Sequence, residues 1–214
     1  MVHFPMDLTP LSKLIGLESL TLAWHVPQTP GTIDFTRHVC LKECGIKWYP
    51  AFASILQLGS IEVLFLTDAK GLKELDLTGL PRLAELDLMS CAALTRIEFN
   101  ERAKLIALEL TNCHKFRPDW HRLARDLRYL RLRDRIGFAV DEIVEAHHLR
   151  FLWAEPANKH PTWGFLRDLS SLEGVSIIDI KIKKAIAEIV RSINQANGHG
   201  LTLTGWPKSP YLAS

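Results

Sequence analysis

The stretch 83–110 reads LAELDLMSCAALTRIEFNERAKLIALEL, and it opens and closes on the same hexad, L-x-x-L-x-L. The hexad recurs as IEVLFL (61–66), LAELDL (83–88), LIALEL (105–110), LRYLRL (127–132) and LRFLWA (149–154). Each copy starts 22 residues after the last, at Ile61, Leu83, Leu105, Leu127 and Leu149. Fourteen of these fifteen core positions are Leu or Ile, and Ala154 is the exception. A fixed period of 20–30 residues is the signature of a stacked solenoid. A lone amphipathic helix or strand would lose phase over such a length. The last two apolar positions of each hexad are two apart, as expected for a short strand with one side buried.

The ladder extends in both directions. Upstream, LESLTL (17–22) carries the pattern, two periods before Ile61, and TRHVCL (36–41) reads as a degenerate rung with Val39 and Leu41 in the core. Downstream, LEGVSI (172–177) arrives one residue late, after an insertion containing HPTWG, and Leu201 and Leu203 suggest a last strand. A half-period lies inside: LKELDL (72–77) and LTRIEF (94–99) each follow a hexad start by 11 residues, so the return limbs within 61–110 should be extended. Beyond Phe116 that half-period ends. DWHRLARDL (119–127), with Asp119 as a cap after Pro118, and DEIVEAHHL (141–149) read as helical. The segment 180–196 sets Ile182, Ile186, Ile189 and Ile193 against Lys183, Lys184 and Arg191, the pattern of an amphipathic helix that closes the last coil. These boundaries predict an N-terminal cap (1–16), repeats (17–178) and a C-terminal cap with helix and tail (179–214).

These motifs resemble the leucine-rich repeat family, in its roughly 22-residue intracellular or bacterial type, over about 11–178. The family motif continues L-x-x-L-x-L with x-x-(Asn or Cys)-x-L. Counting eight from the hexad starts puts Cys44, Cys91 and Cys113 at the Asn/Cys position, where other rungs carry His25, Ala69, Arg135 and Ala157. In the family that side chain hydrogen-bonds neighbouring turn backbone. The resemblance implies an α/β solenoid of about eight coils, with a parallel sheet on the concave face and a helix capping the C-terminal end. It also implies protein binding rather than a shared catalytic chemistry, and fold alone assigns no function.

Composition narrows the remaining classes. The 214 residues carry 26 Lys and Arg against 24 Asp and Glu, a net charge of +2. No basic stripe runs the length, so nucleic acid is not expected as a partner. No apolar run approaches a membrane span. Four cysteines without C-x-x-C suggest a reduced, cytoplasmic setting. No four-ligand zinc spacing is present, so His147-His148 and Cys113-His114 read as ordinary residues, and no metal or cofactor is expected.

On the hexads, positions +2 and +4, with +6 beyond, should face away from the core. There Glu85, Asp87 and Glu109 form an acidic strip below Phe65. Arg128, Arg131, Arg133 and Arg150 form a basic neighbour containing Tyr129, Phe151 and Trp153. Arg, Tyr and Trp are common interface anchors. The expected function is therefore a non-enzymatic module that binds another protein through these eleven residues. A toxin-neutralising, immunity-type protein is one form of it, and an adaptor or substrate-recognition subunit is the alternative. An enzyme would need a pocket near the 155–171 insertion.

Overall fold

The computed structural model describes residues 8–22, 33–123, 125–156, 163–177, 183–197 and 202–203. The hexads become strands. In chain order they are β1 (Ser19–Leu22), β2 (Glu43–Lys47), β3 (Val63–Thr67), β4 (Glu74–Leu77), β5 (Glu85–Met89), β6 (Arg96–Phe99), β7 (Ala107–Cys113), β8 (Tyr129–Ile136), β9 (Phe151–Pro156), β10 (Gly174–Ile177) and β11 (Thr202–Leu203). Nine of them make one sheet in the order β1-β2-β3-β5-β7-β8-β9-β10-β11. Every pairing in it is parallel. The two skipped strands, β4 and β6, pair with each other in parallel as a separate sheet, which confirms the extended return limbs.

A parallel sheet whose neighbours are successive hexads is a solenoid, because each strand meets its translated copy one coil on. The hexad leucines point to a single apolar core running from Leu8 to Ile193. Leu64, Leu66, Leu83, Leu88, Leu110, Leu127, Leu130, Leu132, Leu149 and Ala154 have no exposed surface. No coil could bury these side chains alone, so stacking is what stabilises them.

One rung sits differently from its sequence reading. β2 pairs Glu43 with Ser19 and with Val63, which makes the second hexad LKECGI (41–46) rather than TRHVCL (36–41). The intervals are then 24 residues from Leu17 to Leu41 and 20 from Leu41 to Ile61, closer to the 22-residue period than the 19 and 25 that TRHVCL would give. Val39 is 70% exposed, whereas Leu41, Cys44 and Ile46 are buried. Cys44 is thus a core residue opposite Leu20 and Leu64, and not a turn-ladder residue. Burial alone pushes its thiol up to about 12. His38 is fully buried, with Nδ1 3.2 Å from the Phe35 carbonyl and Nε2 2.9 Å from the Leu11 carbonyl. It ties the short 3₁₀ turn Thr9–Lys13 to the loop before β2.

The other two cysteines form the expected ladder. Cys91 Sγ donates toward Leu66 O and Met89 O, and Cys113 Sγ toward Leu88 O at 3.4 Å and Thr111 O at 3.5 Å. The residue before each ladder position turns the chain out of its strand with a positive φ: Asp68 (54°), Ser90 (57°), Asn112 (56°) and Asp134 (56°). Asp and Asn enter this left-handed region most readily among residues with a side chain. At the next rung the equivalent residue is Pro156, whose ring forbids positive φ.

The predicted helices are shorter than their patterns. Among the described residues of 119–127 only α1 (Trp120–Leu123) is helical, with Asp119 Oδ1 accepting from the Arg122 backbone at 3.4 Å. Within 141–149 the chain forms a 3₁₀ turn, Val140–Glu145, and His147 and His148 are exposed beyond it. An α-helix with its side chains is ~10 Å across, about twice the ~4.8 Å between strands, so full helices on every coil would splay the stack. α2 (Lys183–Asn197) escapes that limit and buries Ile186, Val190 and Ile193. Ile182, Leu201 and the tail 204–214 lie outside the described residues, as do residues 157–162 of the insertion.

Candidate functional face

Parallel pairing that stays in register through the hexads, and shifts on β7 only beyond Thr111, carries the same hexad position from strand to strand. At +4 the column runs Thr21, Gly45, Phe65, Asp87, Glu109, Arg131, Trp153, Ser176. At +2 it runs Ser19, Glu43, Val63, Glu85, Ala107, Tyr129, Phe151, Gly174. Gly45 and Glu43 stand at these positions, where TRHVCL (36–41) as a rung would put Cys40 and His38. Nine of the eleven predicted residues therefore share one contiguous face: Phe65, Glu85, Asp87, Glu109, Tyr129, Arg131, Arg133, Phe151 and Trp153. Arg128 and Arg150 do not. They precede β8 and β9 at +1, on the rim. There Arg150 holds Glu173 through two 2.7 Å hydrogen bonds, one from Nε and one from Nη2.

The face is more closely packed than its polar composition suggests. Glu85 is only 2% exposed, and Glu109, Thr111 and Trp153 are buried as well. Trp153 does not stand out into water. The Arg131 guanidinium lies 4.6 Å from its ring centroid and that of Arg133 5.5 Å away, a double cation–π contact. Beside it Tyr129 stacks on Phe151, with centroids 5.3 Å apart and planes within 8°. The basic and aromatic halves of the patch are thus engaged with each other. Arg131 also reaches Glu109, Nη1 to Oε2 at 3.2 Å.

Asp87 stands at the centre of the acidic half. It is directly opposite Glu109 on β7, where like charges disfavour the pairing. Arg131 bonds Glu109, one strand further away. Asp87 Oδ1 is buried and has no hydrogen-bond partner among the described residues. Burial, reinforced by the Glu109 carboxylate and opposed by Arg131, pushes the Asp87 carboxyl up to about 8. Burial also raises Glu109, against the pull of Arg131 and Arg133. Around these acids lies a cleft of about 180 Å³, walled by Val63, Phe65, Leu86, Ala107 and Leu108 and carrying Glu85, Asp87 and Glu109. Sequence reading found the acids but missed the cleft. The signal for it was the small Ala107 between Glu85 and Tyr129 in the +2 column.

Among the described residues, no group of three or more His, Cys, Asp or Glu could hold a metal ion. None of their helices is long and apolar enough to cross a membrane.

No family model and no curated protein matches the chain. Among solved structures it is similar to the functional domain of InlJ from Listeria monocytogenes, described as including a cysteine ladder. The identity is 14% and the TM-score 0.38, over 80% of this chain and 46% of that one. The chain thus spans less than half of that structure. A likeness this slight carries no argument, and the solenoid assignment rests on the strand pairing itself.

Proposed function

We propose that this chain is a non-enzymatic protein-binding module, a leucine-rich repeat solenoid of about eight coils capped by α2, which binds through the open face of its nine-stranded sheet. The observation that carries this reading is the retention of Asp87 directly opposite Glu109. A sheet selected for stability alone would not keep two facing, largely buried carboxylates in its middle. Polar groups that conflict with local stability concentrate at functional sites. Phe65, Tyr129 and Phe151, half-buried on the same face, supply apolar contact around them. An immunity-type role fits a partner whose working surface is basic, because opposite potentials steer encounter. Eleven residues make up the proposed binding set, with Arg128 and Arg150 at its rim.

The test is affinity capture from the native host, with the wild-type chain and a Phe65→Ala/Tyr129→Ala variant as baits. Both substitutions sit on the face and leave the hexad leucines intact. A partner held by the wild type and depleted at least tenfold by the variant supports the reading. A partner held equally by both overturns it.

A further inference from the structure

From the cleft on β3, β5 and β7 we infer the chemistry of the partner: it presents a lysine side chain, whose alkyl stem lies between Phe65 and Ala107 and whose ammonium meets Asp87 and Glu109. This rests on the reading of the sheet as a binding face and specifies what docks there.

Charge complementarity carries the inference. Glu85, Asp87 and Glu109 bring three carboxylates to the cleft, while the guanidiniums of Arg131 and Arg133 are stacked on Trp153. Arg131 is also hydrogen-bonded to Glu109. Asp87 keeps a buried oxygen with no hydrogen-bond donor among the described residues, and that oxygen belongs to a residue lining the cleft. At about 180 Å³ the cleft has room for roughly six waters at ~30 Å³ each, more than a bare ion needs. Its walls are Val63, Phe65, Leu86, Ala107 and Leu108, which suit an alkyl stem, and with Glu109 already bonded to Arg131 the carboxylate at hand is Asp87, which suits a compact cation rather than a two-pronged guanidinium. An apolar stem ending in a compact point charge is the form of lysine and not of arginine.

The site couples binding to proton release. An ammonium favours the ionised form of Asp87, which burial and Glu109 disfavour in the free protein. The other charged or titratable groups around it are Glu85 on its own strand, Arg131 and Arg133 on β8, and the thiols of Cys91 and Cys113. Affinity therefore rises as pH increases toward about 8, by at most tenfold per pH unit, and levels above it. It falls again only as lysine itself deprotonates near ~10.4.

The probes are three acetylated, amidated peptides, Gly-Lys-Gly, Gly-norleucine-Gly and Gly-Arg-Gly, titrated into carbon-13-labelled full-length protein with the side-chain carboxyl resonances as readout. The lysine peptide is expected to move the Asp87 and Glu109 signals, to lower the Asp87 midpoint, and to bind at least tenfold more tightly than the norleucine peptide. Asp87→Asn should weaken it at least tenfold and flatten its pH dependence. Phe65→Ala should weaken it but keep the pH dependence. Equal binding of the norleucine peptide, tighter binding of the arginine peptide, or an Asp87→Asn protein that binds the lysine peptide like wild type would each overturn the inference. A captured partner that is lost with Phe65→Ala/Tyr129→Ala but indifferent to Asp87→Asn refutes the lysine site and leaves the binding face standing. A lysine peptide seated at Asp87, with a captured partner blind to every face variant, does the reverse.

Discussion

Replacing Asp87 with Asn should stabilise the free protein, and the gain should grow with pH. The carboxyl is raised from its ordinary 3.8 to about 8, so the folded state holds this proton more tightly than the unfolded chain does. For an acid shifted upward, that stability is fully present below ~3.8. It is lost progressively as pH climbs to about 8, and changes no further above it. At 1.36 kcal/mol per pH unit the whole interval corresponds to roughly 5–6 kcal/mol. Partial solvation, with an effective dielectric near ~20, lowers the expected figure to about 2–4 kcal/mol. Asparagine keeps the shape and removes the charge, so the gain over wild type should be near zero at about pH 4 and about 2–4 kcal/mol at about pH 9. Glu109 acts in the same direction, because neutralising Asp87 removes its like-charged neighbour. Urea unfolding followed by circular dichroism at both pH values is the assay. With slopes of ~1–3 kcal/mol per molar, the midpoint should move up by about 1–2 M at the higher pH only. An equal shift at both pH values, or a destabilised variant at high pH, would refute the account of Asp87 as a buried carboxylate held at a cost. A variant that gains stability and loses lysine binding would show what that cost serves.

Three further outcomes follow from the fold. Asn112→Val should destabilise by about 1–3 kcal/mol, because a β-branched residue is strained at φ 56°, whereas Asn112→Gly should be close to neutral; thermal unfolding of the pair separates strain from a lost side-chain contact. A thiol reagent should label Cys40 quickly in the native state and Cys44, Cys91 and Cys113 only on unfolding, since the last three are buried and Cys113 is held well above its ordinary range by its contact with Cys91 and by burial. Fast native labelling of any second thiol would contradict the packing. His38→Leu should cost about 1–3 kcal/mol in urea unfolding by stripping the Leu11 and Phe35 carbonyls of their imidazole contact, and an unchanged midpoint would mean that the 3₁₀ turn Thr9–Lys13 is not held through His38.

The solenoid was legible because its signal is redundant. From Ile61 to Ala154 the same spacing is written five times, and a parallel pairing without slippage is the only arrangement that buries all the copies together. The half-period at LKELDL and LTRIEF announced β4 and β6 in the same way. Where one copy stood alone the reading failed. TRHVCL and LKECGI overlap at Leu41, and each could supply a rung. Local pattern offered the first through Val39 and Leu41, two residues apart, although its start lies 19 residues after Leu17 and 25 before Ile61. Pairing with both β1 and β3 selected the second, since only that register turns Cys44 and Ile46 inward and leaves Val39 in solvent.

The sequence by itself determined the strand period, the inward leucines, Cys91 and Cys113 of the ladder and, from Ile61 to Ala154, which side chains share a column across the sheet, since there these depend only on residue spacing; at the lone second rung spacing misplaced Cys44 and the column residues. It also contained the Asp, Ser, Asn and Asp at 68, 90, 112 and 134, a column whose turn-forming meaning is plain once φ is known. Tertiary structure alone decided what the face is like. Burial of Trp153 beneath two guanidiniums, diversion of Arg150 to Glu173, and the cleft beside Ala107 all depend on side-chain rotamers and on how closely neighbouring coils approach. The energy of Asp87 depends on them too. Spacing can place a carboxylate on a strand, but whether water reaches it, and which cation spends itself elsewhere, is settled only when the coils are stacked.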